Sequence, residues 1–121
     1  MAWEVEFTDE FEEWWRTLSE SEQGKVDARV RLLMERGPNL GFPFSSQVKT
    51  SRFPEMRELR AQAGGDPLRV LYAFDPRRTA LLLVAGDKSG NDRWYEINVP
   101  IADRLFERHL ETIEDERSEH G

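Results

Sequence analysis

The sequence predicts an α+β domain in the order β-α-α-β-β-β-α. This is a small antiparallel-dominated sheet with a helical hairpin after its first strand and a helix at the C-terminal end. Three observations predict it. A short alternating segment opens the chain, two stretches with helical apolar stripes follow, and three strand-like runs separated by turn residues precede a last helical stretch.

The opening segment "AWEVEF" alternates, with Trp3, Val5 and Phe7 on one side and Glu4 and Glu6 on the other, as in a half-buried strand. Thr8 and Asp9 are N-cap types for "DEFEEWWRTLSE", where Phe11, Trp14, Trp15 and Leu18 make a helical stripe and acids fill the first turn. Ser19 or Ser21 starts a second helix, with Val26, Val30, Leu33 and Met34 on its apolar face. Gly37 and then Pro38 end it. "FPFSSQVKTSRFPE" has two prolines and four hydroxyl residues and reads as a loop.

"MRELRAQ", "LRVLYAF" and "TALLLVAG" are then bounded in turn by "AGGDP", "DPRR" and "DKSGND", the spacing of a three-stranded meander. In the middle run Val70, Tyr72 and Phe74 share one face, and Arg69, Leu71 and Ala73 the other. From Tyr95 or Pro100 onward Ile101, Leu105, Phe106, Leu110 and Ile113 form a helical stripe, and residues 114–121, "EDERSEHG", read as a fraying tail. With 121 residues, no repeat and no linker, residues 1–121 read as a single domain.

Composition narrows the chemistry. There is no cysteine, which removes thiol nucleophiles and disulfides and fits a reducing compartment. No apolar run reaches membrane-spanning length and the N-terminus is acidic, so a cytoplasmic protein with no membrane role is expected. The two histidines, His109 and His120, stand eleven apart; His109 reads as a helix-surface residue and His120 as tail, which argues against a zinc site or a two-histidine nuclease. No metal or other cofactor is expected. The net charge of −7 argues against nucleic acid, but its distribution does not: residues 45–95 carry nine Lys/Arg against six Asp/Glu (9 − 6 = +3), and the rest eight against eighteen (8 − 18 = −10).

The basic set therefore becomes the candidate site. Arg57 and Arg60 lie on the first meander strand, Arg69 on the second, Arg77 and Arg78 in the turn after it, and Lys88 after the third. Lys49 and Arg52 come from the preceding loop. An apolar strand that spends a position on Arg69 suggests a rigid support for an anion, and guanidinium groups suit a phosphodiester.

"MRELRAQ…LRVLYAFDPRRTALLLVAGDKSG", with "SSQVKTSRFPEM" before it and "RWYEINVPIADRLFERHL" after it, resembles the RelE/HigB superfamily of type II toxin–antitoxin toxins, and within it the HigB-type, phage Gp49-like branch. The resemblance implies a RelE-like sheet with helices packed on one face. It implies a metal-independent mRNA endoribonuclease acting on translating ribosomes, in which the RNA 2′-hydroxyl attacks the adjacent phosphate. The implied partners are mRNA on the ribosome and an antitoxin with a helix-turn-helix domain, through which the complex binds operator DNA. By position, Arg60, Arg69 and Lys88 match the family's catalytic basic residues. Lys49, Arg52, Arg57, Arg77, Arg78 and Arg93 are candidate RNA contacts, and Trp94 and Tyr95 approximate an aromatic residue that stacks on a base. Glu58 departs from the lysine of the ribosome-dependent prototype, and the general base stays open, with Lys49 one candidate. Two alternatives remain: a ParE-like toxin that poisons gyrase, and a degenerate chain that only binds its antitoxin.

Overall fold

Each predicted helix and meander strand is realised, and a further short strand joins them. The computed structural model describes residues 2–120. The elements run β1 (Val5–Phe7), α1 (Asp9–Arg16), α2 (Glu20–Arg36), a 3-10 turn (Gly37–Asn39), β2 (Ser45–Gln47), β3 (Arg57–Ala63), β4 (Asp66–Phe74), β5 (Ala80–Asp87) and α3 (Trp94–His120). They build one five-stranded sheet of order β1-β5-β4-β3-β2. The meander pairs antiparallel, whereas β1 pairs parallel with β5.

Local chemistry sets the boundaries. Thr8 caps α1, its hydroxyl accepting from the Phe11 amide at 3.1 Å. Ser19 and Glu22 cap α2 reciprocally. Gly37 ends α2 at φ 58, and a Cβ there would stand 2.4 Å from the Trp3 indole, so only glycine lets the chain pass beneath that ring. Gly64 and Gly65, at φ 59 and 88, make the two-residue turn between β3 and β4.

Alternation along the strands feeds two cores. Leu59, Leu68, Val70, Tyr72 and Leu82 face α1 and α2, together with Phe11, Val26 and Leu33. Met56, Leu71, Ala73, Leu81 and Leu83 face α3 and meet Trp94, Val99, Ala102 and Phe106. A bulge opposite Leu71 and Tyr72 lets Leu83 and Val84 both join the second core.

Three expectations are corrected. The loop over residues 42–55 contains β2, where Ser45 pairs with Leu59 and its hydroxyl sits 2.6 Å from the Tyr72 hydroxyl, a tertiary partner that local composition does not reveal. Helices cover both faces of the sheet rather than one, because β4 and β5 are apolar on both sides. The polar tail is helical as far as His120, continuing α3 with its exposed residues in register; Gly121 lies outside the described residues.

Candidate active site

Register brings two of the three proposed catalytic residues face to face. Arg60 on β3 is the cross-strand partner of Arg69 on β4, and Arg69 is in turn opposite Gly86 on β5. Glu58, two residues before Arg60, shares their face, which is the face α3 covers. Three groups converge on one oxygen, Glu58 Oε1: Arg69 Nε at 3.0 Å, Arg60 Nη1 at 3.5 Å, and the Tyr95 hydroxyl, which donates at 2.8 Å. Lys88, in the turn after β5, places Nζ 5.3 Å from the centre of the Tyr95 ring, within cation–π range. Arg60, Arg69 and Tyr95 thus converge on Glu58, and Lys88 stands beside Tyr95.

The electrostatics of this cluster are specific. Arg69 is only 5 % exposed and Glu58 equally buried, so the pair is removed from solvent. Arg69 Nη1 donates to the Leu68 carbonyl at 3.0 Å. Its Nε is close enough to Glu58 for an ion pair, yet the N–H lies off the line to any acceptor, leaving a buried donor without a hydrogen bond. Such a donor costs about 1–3 kcal/mol until something accepts from it. Burial raises the Tyr95 phenol above its usual range, the Glu58 carboxylate adds to this, and Arg69 opposes it. The phenol therefore stays protonated at neutral pH and remains a donor. Facing outward are Arg60, with about a third of its side chain exposed and its guanidinium 5.2 Å over the Phe42 ring, and half-buried Lys88.

The rest of the basic set is dispersed. Arg57 points to the opposite face, donating to Ser45 Oγ at 3.0 Å and to the Leu40 carbonyl at 3.3 Å. Arg52 forms a paired contact with Glu107, and Arg93 pairs with Glu96 at 3.1 Å. Arg77, beyond the far end of β4, is held by Asp75 at 2.7 Å and Glu6 at 2.8 Å, while Arg78 stacks 4.7 Å over Trp3. Lys49 is exposed in the turn after β2. Trp94 is 4 % exposed, its indole lying where a Cβ on Gly86 would come within 2.6 Å, so it offers no face to a base. Of the two aromatic candidates, only Tyr95 belongs to the cluster.

Sequence reasoning missed two things. Glu58 stood out only as a departure, not as the anion that holds the site together; its i, i+2 spacing from Arg60 was the available signal. His109 is not a plain helix-surface residue, since its Nε2 lies 2.8 Å from Asp75 Oδ2, whose side chain is fully buried. Among the described residues no group of three or more His, Cys, Asp or Glu is placed to hold a metal ion, and no helix is long and apolar enough to cross a membrane.

Comparison with known proteins adds four likenesses. A family profile described as phage derived protein Gp49-like matches residues 13–107. A candidate toxin of Mycobacterium tuberculosis (strain ATCC 25618 / H37Rv), HigB3, is 43 % identical over 111 residues, covering 91 % of this chain and 90 % of that protein. A second from the same organism, HigB2, is 39 % identical over 104 residues, covering 84 % of this chain and 52 % of that longer protein. Among solved structures, an arginine double mutant of the E. coli toxin RelE in the free state superposes with a TM-score of 0.57 at 12 % identity. The match covers 79 % of this chain and 94 % of that one, a likeness of fold.

Proposed function

The chain belongs to the Gp49-like family of HigB-type toxins, and from that premise we propose that it is a metal-independent endoribonuclease cutting messenger RNA on the ribosome. It is a toxin of a RelE/HigB-type toxin–antitoxin module. We take its partner to be an antitoxin with a helix-turn-helix domain, through which the complex holds operator DNA, and its compartment to be the cytoplasm.

The observation that carries the nuclease reading is the convergence of Arg60, Arg69 and Tyr95 on Glu58, with Lys88 over the Tyr95 ring. In-line attack of a 2′-hydroxyl on its own phosphate breaks O2′–H and P–O5′ and forms P–O2′, the 2′-proton leaving to solvent. It needs donors for the pentavalent dianion and a proton for the leaving 5′-oxygen. Arg60 is the outward guanidinium for the phosphate. Arg69 reaches it by exchanging its Glu58 contact for a phosphate oxygen, which also supplies the missing acceptor at Nε. Lys88 and the protonated Tyr95 stand beside them as proton donors for the 5′-oxygen.

The test is expression in a sensitive host, followed by single-turnover cleavage of a ribosome-bound message. Growth arrest with message cleavage unaffected by EDTA is expected, with intact ribosomes controlled for. An intact message together with inhibited gyrase would replace this reading with the ParE-like one. Indifferent growth at high soluble expression would assign a degenerate chain.

A further inference from the structure

Arg60 also borders a second feature, at the outer edge of β3, that the proposed chemistry leaves unused. β2 pairs with β3 only over residues 57–59, so residues 61–63 have no strand on that side. A cavity of about 210 Å³ opens there. Its wall includes Arg29, Phe44, Arg60 and Arg69, three guanidinium groups with no carboxylate among the lining residues. Arg69 is the side chain whose buried Nε has no acceptor.

Arg29 is fixed in place. It comes from α2, on the other face of the sheet, and its Nε donates to the Arg60 carbonyl at 3.0 Å. The Arg60 amide in turn donates to the Phe44 carbonyl at 2.8 Å. The Arg29 guanidinium lies 4.8 Å over the Phe44 ring and Arg36 lies 5.9 Å from the same ring. Lys25, Arg29 and Arg36, at i, i+4 and i+11, share one side of α2, whereas Asp27, Arg31 and Glu35 lie on the other. Among the described residues no carboxylate pairs with Arg29, in contrast to Arg52, Arg77 and Arg93. Beside the cavity Phe42 is 77 % exposed, with the Arg60 guanidinium 5.2 Å from its ring centre. Arg60 therefore stands between the Glu58 cluster and this edge.

We propose that the edge cavity is a subsite for the nucleotide flanking the scissile bond, with Arg29 holding its phosphate and Phe42 stacking on its base. The proposal rests on the ribonuclease reading for the identity of the ligand. Forked guanidinium donors without a competing carboxylate suit a phosphate. An exposed ring beside them suits a base, which a free anion lacks. Arg29 and Phe42 are positioning residues: they set the register of the strand while Arg60 and Arg69 meet the reacting phosphate.

The experiment has two arms. In the first, a short fluorescent 2′-deoxy oligonucleotide, which cannot be cleaved, is titrated into the full chain by anisotropy over a range of salt. Arg29→Gln is expected to weaken binding and to make the log–log salt slope shallower by about 0.7, the loss of one phosphate contact, while Arg29→Lys keeps the slope. Phe42→Ala is expected to weaken binding about fivefold or more with the slope and the melting temperature unchanged, and Phe42→Trp to restore it. Wild-type binding by Arg29→Gln or Phe42→Ala overturns the subsite, as does weaker binding by Arg29→Gln with an unchanged slope, the mark of a strut for Arg60. Inorganic phosphate that displaces the oligonucleotide at equal concentration also overturns it, making this a site for the free ion. In the second arm, single-turnover cleavage of a ribosome-bound message is followed against toxin concentration. Arg29→Gln and Phe42→Ala are expected to raise the concentration for half-maximal rate about fivefold, with the saturating rate within about twofold of wild type. Cleavage by both variants that matches wild type at every concentration overturns the subsite and leaves the nuclease reading intact. A chain that shows the expected binding pattern and cleaves nothing sinks the nuclease reading and leaves the subsite standing.

Discussion

On the proposed reading Arg69 has two jobs that pull against each other. It would turn to meet the phosphorane, and it is half of a buried ion pair with Glu58. Arg69→Ala is expected to lose a hundredfold or more in single-turnover cleavage, as other donors aimed at a developing anion do. Arg69→Lys should recover only part, for an ammonium cannot reproduce the planar fork. Removing one partner of a buried pair also destabilises, by about 3–5 kcal/mol. The double variant Glu58→Gln/Arg69→Ala separates the two effects. Urea unfolding should show much of the stability returning, because no charge is left buried alone, while cleavage stays low. If both return together, Arg69 is a strut for Glu58 and makes no phosphate contact. The face that each of these residues takes was legible at the residue scale, but the pairing of Arg69 with Glu58 was not. The i, i+2 spacing put Arg60 on the face of Glu58, and the same parity places Arg57 on the other side. Burial of Trp94 was not legible, since it depends on the missing side chain of Gly86 across the helix–sheet contact.

α3 brings Tyr95 to the site, and it is fastened at two points. Near its start, Trp94 lies over Gly86 and sets the position of Tyr95. A Gly86→Ala Cβ would fall 2.6 Å from the indole nitrogen, so the rigid ring must move. A cost of about 1–3 kcal/mol is expected, with loss of cleavage exceeding what the unfolded fraction explains; wild-type cleavage would show that Tyr95 needs no such seat. Further along, His109 on α3 binds buried Asp75, which also accepts from Arg77 and from the Arg77 and Thr79 amides. These partners hold the Asp75 carboxyl below its ordinary value of 3.8 despite its burial. A lowered folded value contributes stability that is fully present above the unfolded pKa and is lost as pH falls through the folded one. Acid unfolding should therefore steepen below about pH 3.8, and Asp75→Asn should flatten that limb while lowering stability at neutral pH. An unchanged acid limb would remove Asp75 as its cause. Local patterning predicted every helix and the meander, because their apolar periodicity is written in consecutive residues. It missed β2 and the parallel pairing of β1, both of which are chosen by tertiary partners such as Tyr72 and Ala80.

Across the whole molecule, charge is sorted rather than balanced. Acid gathers in β1–α2 and equally in α3, and the middle of the chain carries base, yet few of those cations are free. Arg52, Arg77 and Arg93 are already paired with carboxylates, and Arg57 is turned to the other face. Among the described residues, Arg60 and Lys88 remain at the cluster for an RNA backbone, with exposed Lys49 apart in the turn after β2. Net charge of −7 opposes the approach of RNA, and on the proposed reading the ribosome would supply the local concentration of message that the chain's own field does not. This makes salt the discriminating variable. A single-stranded RNA that engages two or three phosphates loses affinity with a log–log slope of about −0.7 per phosphate, so roughly −1.4 to −2. Binding of a non-cleavable 2′-deoxy oligonucleotide, measured by anisotropy from low to moderate salt, should give that shallow slope. Arg77→Ala should leave the slope unchanged and lower thermal stability instead, because it breaks contacts to Glu6 and Asp75. A slope steeper than about −4, or a fall in slope with Arg77→Ala, would mean that the paired arginines open to meet RNA and that the binding surface is far wider than the cluster around Glu58.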